Sequence, residues 1–228
     1  MNISSSPETG CRPSKSWRTN IELANRYFVT RHALRSALAR LAKRGLIHSN
    51  QGRGSFVRRP SLPLLIERRT RFNRYVGKAN ATGKMQIIRL VSERAPPHVA
   101  RAFDLRLTTP FVILERMATV NGQNTSISQH YFPEQRVPGF LKEYVRRQSI
   151  TETLAAIGIG DYVRAETRIH ARLPTPEEAE LLDVPRHVPL IITEAINHDM
   201  NGVMLEYGEA RFASDRVELV IQPEKNLP

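Results

Sequence analysis

The chain has 228 residues, 40% of them hydrophobic and 25% charged, with one cysteine, Cys11, and a formal net charge of +12. That length suits two modest domains, no apolar run approaches the ~20 residues a membrane-spanning helix needs, and a lone cysteine excludes an internal disulfide or a cysteine-cluster zinc site. The first fifteen residues, MNISSSPETGCRPSK, contain no apolar stretch of the secretory kind, so the expected location is the cytoplasm. Residues 1–75 hold 16 of the 34 Lys and Arg but only 3 of the 22 Asp and Glu, so this third carries +13 and the rest −1. A locally basic segment attracts polyanions through phosphate contacts and counterion release. A basic face that is merely solvated, or that meets a membrane surface, is the alternative.

Thr19-Asn20-Ile21-Glu22 reads as a capping box opening a short helix that ends near Tyr27. Phe28 and Val29 turn the chain, and Thr30 caps a second helix over 31–44 that Gly45 ends. Leu34, Ala37, Leu38 and Leu41 fall at i, i+3, i+4 and i+7, a stripe that faces a core. Arg31 and Arg35 lie one turn apart off that stripe, near the helix N-terminus, where a recognition helix presents side chains to a major groove. Leu46-Ile47-His48 and Ser55-Phe56-Val57 then flank Gln51-Gly52-Arg53-Gly54, which predicts a small hairpin with an Arg between glycines at its tip. This is not a nucleotide-cradling loop: it lacks the Lys-Ser/Thr pair and opens no helix.

The run ELANRYFVTRHALRSALARLAKRGLIHSNQGRGSFV resembles the winged helix-turn-helix of GntR-superfamily regulators over about 36 residues. The resemblance implies that Thr30, Arg31, His32 and Arg35 contact operator DNA from the recognition helix and that Gly52, Arg53 and Gly54 form the wing. The family normally has a further helix before this segment. Here Trp17-Arg18-Thr19-Asn20 stand where that helix leads in, behind a polar stretch, so the first helix is expected to be missing or degenerate. The expected division is a DNA-binding domain over 1–59, an Arg-rich linker over 60–75 with Pro60 and Pro63, and an effector domain over 76–228.

The larger part contains an internal repeat. A strand over 85–91, a short helix over 96–103 and a strand over 111–120 lead to an Asn121-Gly122 turn and a return strand over 125–132. The same order recurs as a strand over 163–172, a helix opened by Thr175-Pro176-Glu177-Glu178, a strand over 190–198, an Asn201-Gly202 turn and a return over 203–212. Asp104 precedes Pro110 by six residues, and Asp183 precedes Pro189 by the same interval. Each half reads β-α-β-β with an Asn-Gly hairpin, and a helix capped by Ser149 with Glu152 lies between them. Two such halves pair into one antiparallel sheet with helices on a face, an α+β domain with a natural ligand cleft.

RTRF at 69–72, SQHYFP at 128–133, TRIHAR at 167–172 and LEYGEARFASDRVEL at 205–219 resemble the UTRA ligand-sensing domain of HutC-type GntR regulators, whose fold is similar to chorismate lyase. Within that group the wording looks most like regulators of phosphonate metabolism. By this resemblance Arg116, Ser128, Ser149, Glu206 and Phe212 fall at pocket-lining positions. Relatives that bind phosphorylated sugars carry Glu at Ser128, a second Arg at Ala118 and Tyr at Phe212, so a sugar-specific contact set is not reproduced. On the 162–172 strand, Arg168 and His170 sit at the centre and are candidate effector ligands, with plain solvent exposure as the alternative. His130 is a further candidate, with a structural histidine as its alternative.

Arg116 and Arg168, on strands of opposite halves, suggest a fork for a phosphate or phosphonate head, and Glu206 suggests an amine on the same effector. No GxSxG elbow, HExxH motif, reactive-cysteine setting or dinucleotide fingerprint is present, which argues against an enzyme, a cofactor or a metal. The expected partners are double-stranded operator DNA, a small anionic effector and a second copy of the chain, since one recognition helix covers a single half-site.

Overall fold

The computed structural model describes residues 20–43, 47–50, 54–57, 62–67 and 83–222. The chain divides into two compact units, Met1–Pro60 and Ser61–Pro228. In the first, α1 (Asn20–Arg26) and α2 (Arg31–Lys43) are separated by a turn in which Phe28 takes a left-handed conformation, φ 53°. The Thr30 hydroxyl accepts a hydrogen bond from the Ala33 amide at 3.2 Å, so Thr30 caps α2 as its sequence position suggests. Ala24 and Leu34 are buried and Leu38 and Leu41 half-buried, but Ala37 is exposed: the seam is narrower than the expected stripe, and Ala37 lies at its margin. Strands β1 (Ile47–Asn50) and β2 (Gly54–Val57) pair antiparallel, Ile47 with Val57 and Asn50 with Gly54. The expected cap Thr19, the helix end at Arg44 and Gly45, and the wing tip at Gly52 and Arg53 lie outside the described residues, as does any helix before α1.

The second unit begins with β3 (Leu62–Ile66), which pairs in parallel with β10 (Val217–Ile221). This corrects the reading of 60–75 as linker throughout. Leu62-Pro63-Leu64-Leu65-Ile66 is an apolar run, and Leu64 buries with Val217 beside Phe212 and Leu219. Pro63 is exposed on its two-stranded sheet, which has no interior strand whose ladder a missing N–H would break.

The main sheet has six antiparallel strands in the order β4-β5-β6-β9-β8-β7. They are β4 (Gly83–Arg94), β5 (Pro110–Val120), β6 (Gln123–Pro133), β7 (Tyr162–Arg172), β8 (Leu190–Asp199) and β9 (Met204–Ala213). The repeat is real: β4-α3-β5-β6 and β7-α6-β8-β9, with α3 at Pro97–Ala102 and α6 at Pro176–Leu182, meet at the β6–β9 pair. The matching aspartates have one physical role. Asp104 and Asp183 both take left-handed φ, 53° and 51°, just past a helix, and the next amide in each case reaches back to a helix carbonyl (Leu105 to Ala100, Val184 to Ala179). Thr175 and Glu178 form a full capping box on α6.

Helices α4 (Phe140–Arg147) and α5 (Ile150–Ala156) join the halves. They pack Phe140, Tyr144 and Leu154 against Val112, Leu114 and Phe132 on one face of the sheet. On the other face α3 packs Val99 and Ala100 against Phe111, Ile113 and Tyr131, and α6 packs Ala179 and Leu182 against Ile127 and Ile192. Among the described residues no helix is long and apolar enough to cross a membrane.

Candidate functional site

Two regions carry candidate chemistry. In the first unit, Arg31, His32 and Arg35 are exposed on the first turns of α2, where Leu34 is buried. Thr30 is committed to the cap, and Gly54 opens β2 opposite Asn50. That places three basic or polar side chains on one outward helix surface beside a two-stranded hairpin.

The second region is a buried polar chain across the sheet. Arg116 on β5 is 8% exposed. One terminal nitrogen, Nη1, donates to the Tyr144 hydroxyl at 3.3 Å, and Nη2 lies 2.8 Å from His130 Nε2. His130 Nδ1 lies 2.5 Å from Glu206 Oε1, and Glu206 Oε2 accepts from Asn197 Nδ2 at 2.7 Å. Arg164 Nε donates to Asn197 Oδ1 at 3.4 Å, and Ser128 Oγ stands 3.1 Å from His130 Nε2.

The donors fix the tautomer. A guanidinium only donates, so His130 Nε2 accepts, and the ring proton sits on Nδ1, where it is donated to Glu206. A neutral imidazole follows, and burial together with the Arg116 charge does push the His130 pKa down, against the pull of Glu206. Burial alone would raise Glu206. The hydrogen bonds from His130 and Asn197 and the nearby positive charges outweigh it and hold the carboxyl well below the usual range. Two buried polar atoms have no partner here, Arg116 Nε and Thr167 Oγ1.

Register decides which candidates meet. Cross-strand neighbours share a face. One row runs Arg116, Ser128, Ala210, Thr193, Ile169. The adjacent row runs Glu115, Gln129, Glu209, Glu194, Arg168 on the opposite face. Arg168 is therefore on the far side of the sheet from Arg116, its side chain 71% exposed and paired with Glu166. His170 shares that far face with Arg168 and is exposed. The expected Arg116–Arg168 fork is not formed. Arg164 differs from Arg168 and His170 because of a bulge: β7 slips one residue against β8 between Arg164 and Glu166. Plain alternation groups Arg164 with Arg168 and His170, whereas the extra residue turns Arg164 to the face of Arg116 and Asn197.

The remaining candidates divide. Ser149 Oγ accepts from the Glu152 amide at 3.3 Å as the cap of α5. Phe212 lies on the Arg116 face but packs against Leu64 and Val217 at its far end. Between Arg116 and Phe212 this face is made of small side chains, Ser126, Ser128, Ala210 and Thr193. Tyr144, Asn197 and Arg164 belong to the cluster without having been singled out from sequence. Among the described residues no group of three or more His, Cys, Asp or Glu is arranged to hold a metal ion.

Comparison with known proteins agrees with this architecture. The UTRA domain family matches residues 78–218, and the family described as bacterial regulatory proteins, gntR family, matches residues 19–57. An uncharacterized HTH-type transcriptional regulator of Rhizobium meliloti (strain 1021) is 35% identical over 201 residues, covering 88% of this chain and 82% of the relative. The probable transcriptional regulator PhnF of Escherichia coli (strain K12) is 27% identical over 210 residues, covering 88% and 83%. The crystal structure of PhnF from Mycobacterium smegmatis superposes with a TM-score of 0.66 at 21% identity, covering 95% of each chain. These matched relatives are named regulators, not enzymes. The chain belongs to the GntR family of bacterial regulatory proteins and carries a UTRA domain: it is a transcriptional regulator of the GntR/UTRA type.

Proposed function

We propose that this regulator is a homodimeric repressor whose grip on operator DNA is controlled by a small anion bound on the Arg116 face of the sheet. The observation that carries the reading is Arg116 itself. Its guanidinium is buried, its contacts are a neutral imidazole and a phenol, and its Nε has no partner; among the described residues no carboxylate pairs with it. A buried unpaired cation is costly, and an anion on Nε and Nη2 would offset that cost. The Thr167 hydroxyl, without a partner, lies on the same face and is available as a further donor; the Ser128 hydroxyl there is engaged with His130 Nε2.

A phosphonate or phosphate head matches a guanidinium edge through parallel hydrogen bonds, and the motif resemblance to phosphonate-metabolism regulators favours the same class. The sugar-phosphate and amino-acid-pathway acids are the alternatives. In the head, Arg31, His32 and Arg35 are the proposed operator contacts from α2, with the hairpin as wing. Isothermal titration with phosphate, alkylphosphonates, aminoethylphosphonate, sugar phosphates and histidine-pathway acids tests the effector. An anion should rank first, and Arg116→Met should weaken it at least tenfold. A neutral ligand at the head of the ranking, or undiminished binding by Arg116→Met, would overturn the reading.

A further inference from the structure

Strand β7 is anomalous for a sheet edge. It is eleven residues long, and among the described residues no strand pairs with its outer side. Its apolar side is bare: Ala165 and Ala171 are exposed, Ile169 is 42% exposed, and Leu173 just beyond the strand is 57% exposed. The same bare surface continues into a groove where Ile169 and Ala171 stand beside Ile191, Val217, Leu219 and Ile221. The opposite edge, β4, differs. Its Ile87, Leu90 and Val91 pack into the two cores, and a bulge at Ile88 breaks it in the middle. A long unpaired edge is a template for another strand.

The charge pattern of β7 says which strand fits. After the bulge, the regular segment runs from Glu166 to Arg172 with Ile169 at its centre. Two copies paired antiparallel about Ile169 set Glu166 of each opposite Arg172 of the other, cover Ile169 with itself, and place Thr167 opposite Ala171. A register must keep matching faces, so it shifts in steps of two, which moves the axis by one residue. Centred on Arg168 it sets that cation against itself, and centred on His170 it sets Arg168 against Arg172 and Glu166 against Pro174. Centred on Thr167, the ladder meets the bulge after one flanking pair. Centred on Ala171, it sets His170 against Arg172 and Arg168 against Pro174, which has no amide to donate.

We propose that β7 is the surface on which a second copy of this chain adds, edge to edge and antiparallel about a two-fold axis at Ile169, joining the two sheets into one. This rests on the homodimer reading above and specifies its interface. Arg172 is already bidentate to Glu178 within its own chain at 2.6 Å, so the partner's Glu166 joins an existing ion pair rather than having to order a free side chain.

The test uses the full chain in a Cys11→Ser background. Directly opposite residues bring their Cβ atoms to about 4.5–5.5 Å, close to what a disulfide spans. Ile169→Cys should therefore form an intermolecular disulfide under mild oxidation, while Thr167→Cys and Ile88→Cys should not. Ile169→Asp places two carboxylates against each other across the axis. It should raise the dimer dissociation constant at least tenfold by sedimentation equilibrium, with the far-UV spectrum and thermal midpoint retained. Cross-linking at Ile88 or Thr167 in place of Ile169, or a dimer indifferent to Ile169→Asp, would overturn the β7 interface while leaving the homodimer standing. A wild-type chain that sediments as a monomer at micromolar concentration would overturn both. Should Ile169→Asp fail to fold, the Ile169→Cys cross-link decides alone.

Discussion

Replacing Glu206 by Gln changes almost no volume and isolates what the carboxylate does. Its two oxygens accept from two donors, His130 Nδ1–H at 2.5 Å and Asn197 Nδ2–H at 2.7 Å, and the side chain is 4% exposed. A glutamine offers one acceptor and one donor. Whichever way its amide turns, one N–H faces another N–H in a site with little access to water. His130 can escape only by moving its proton to Nε2, where it would then confront Arg116 Nη2 at 2.8 Å. The expected loss is one hydrogen bond to a charged acceptor, about 1.5–3 kcal/mol, plus about 1–3 kcal/mol for the donor left unsatisfied. Relief from burying a negative charge offsets part of it, leaving a net destabilisation of about 2–4 kcal/mol. For a unit of this size that is a fall of roughly 5–15 °C in Tm. Differential scanning calorimetry at pH 7.5 should show the shift in the transition of the larger unit. A loss below about 1 kcal/mol would refute the double-acceptor role and, with it, the neutral Nδ1–H tautomer.

Three further outcomes follow from the same geometry. His130 has a lowered pKa in the folded state, so its contribution is complete above the unfolded value of about 6.5 and is lost as pH falls below it; urea titrations should show stability dropping by up to about 1.4 kcal/mol per pH unit there, a slope that His130→Gln removes. Arg35→Ala should cost about 1–3 kcal/mol on the operator and relax specificity at one position, whereas equal loss on operator and scrambled DNA in gel shifts would make Arg35 a phosphate contact. Thr175→Ala removes one half of the α6 capping box and should lower stability by about 1 kcal/mol in urea unfolding; no change would mean that Pro176 and Glu178 set the helix start without it.

Much of the fold was legible because its local signals agree with its topology. The Asn121-Gly122 and Asn201-Gly202 turns, the paired aspartates past α3 and α6, and the Thr175 cap each demand a particular backbone, and the six-strand order follows once two β-α-β-β units are recognised. The strand Leu62–Ile66 was not legible as such: five apolar residues holding a proline read equally well as linker, and only its distant partner Val217–Ile221 gives it a ladder. Ala37 was misplaced for a related reason, since a helical stripe fixes the direction of burial but not its width.

The site was harder, and β7 explains why. Its alternation gives two clean faces on paper, and a bulge of one residue inverts the part before Ala165 relative to the part after it. The consequence is chemical. Without the extra residue, Arg164, Glu166 and Arg168 would share one face; with it, Arg164 stands beside Asn197 while Glu166 and Arg168 face the other way. Instead Arg164 joins Glu206 and His130 in the buried chain, and Arg168 and His170 stand in solvent beside Glu166. The bulge thus does two things at once: it supplies the buried cluster with a second guanidinium, and it marks where the regular edge begins, so that Glu166 to Arg172 forms the self-complementary segment. Deleting Ala165 should leave Arg164 opposite Asn197 and Glu166 opposite Ile196 while removing the break that limits the edge register. The buried polar cluster and the outer edge of the sheet thus share one strand, β7. On the proposed reading, a ligand held by Arg116 and Thr167 would touch the same strand that the second copy covers, so Ile169→Asp should alter effector affinity in isothermal titration if the two are coupled, and unchanged affinity would separate them.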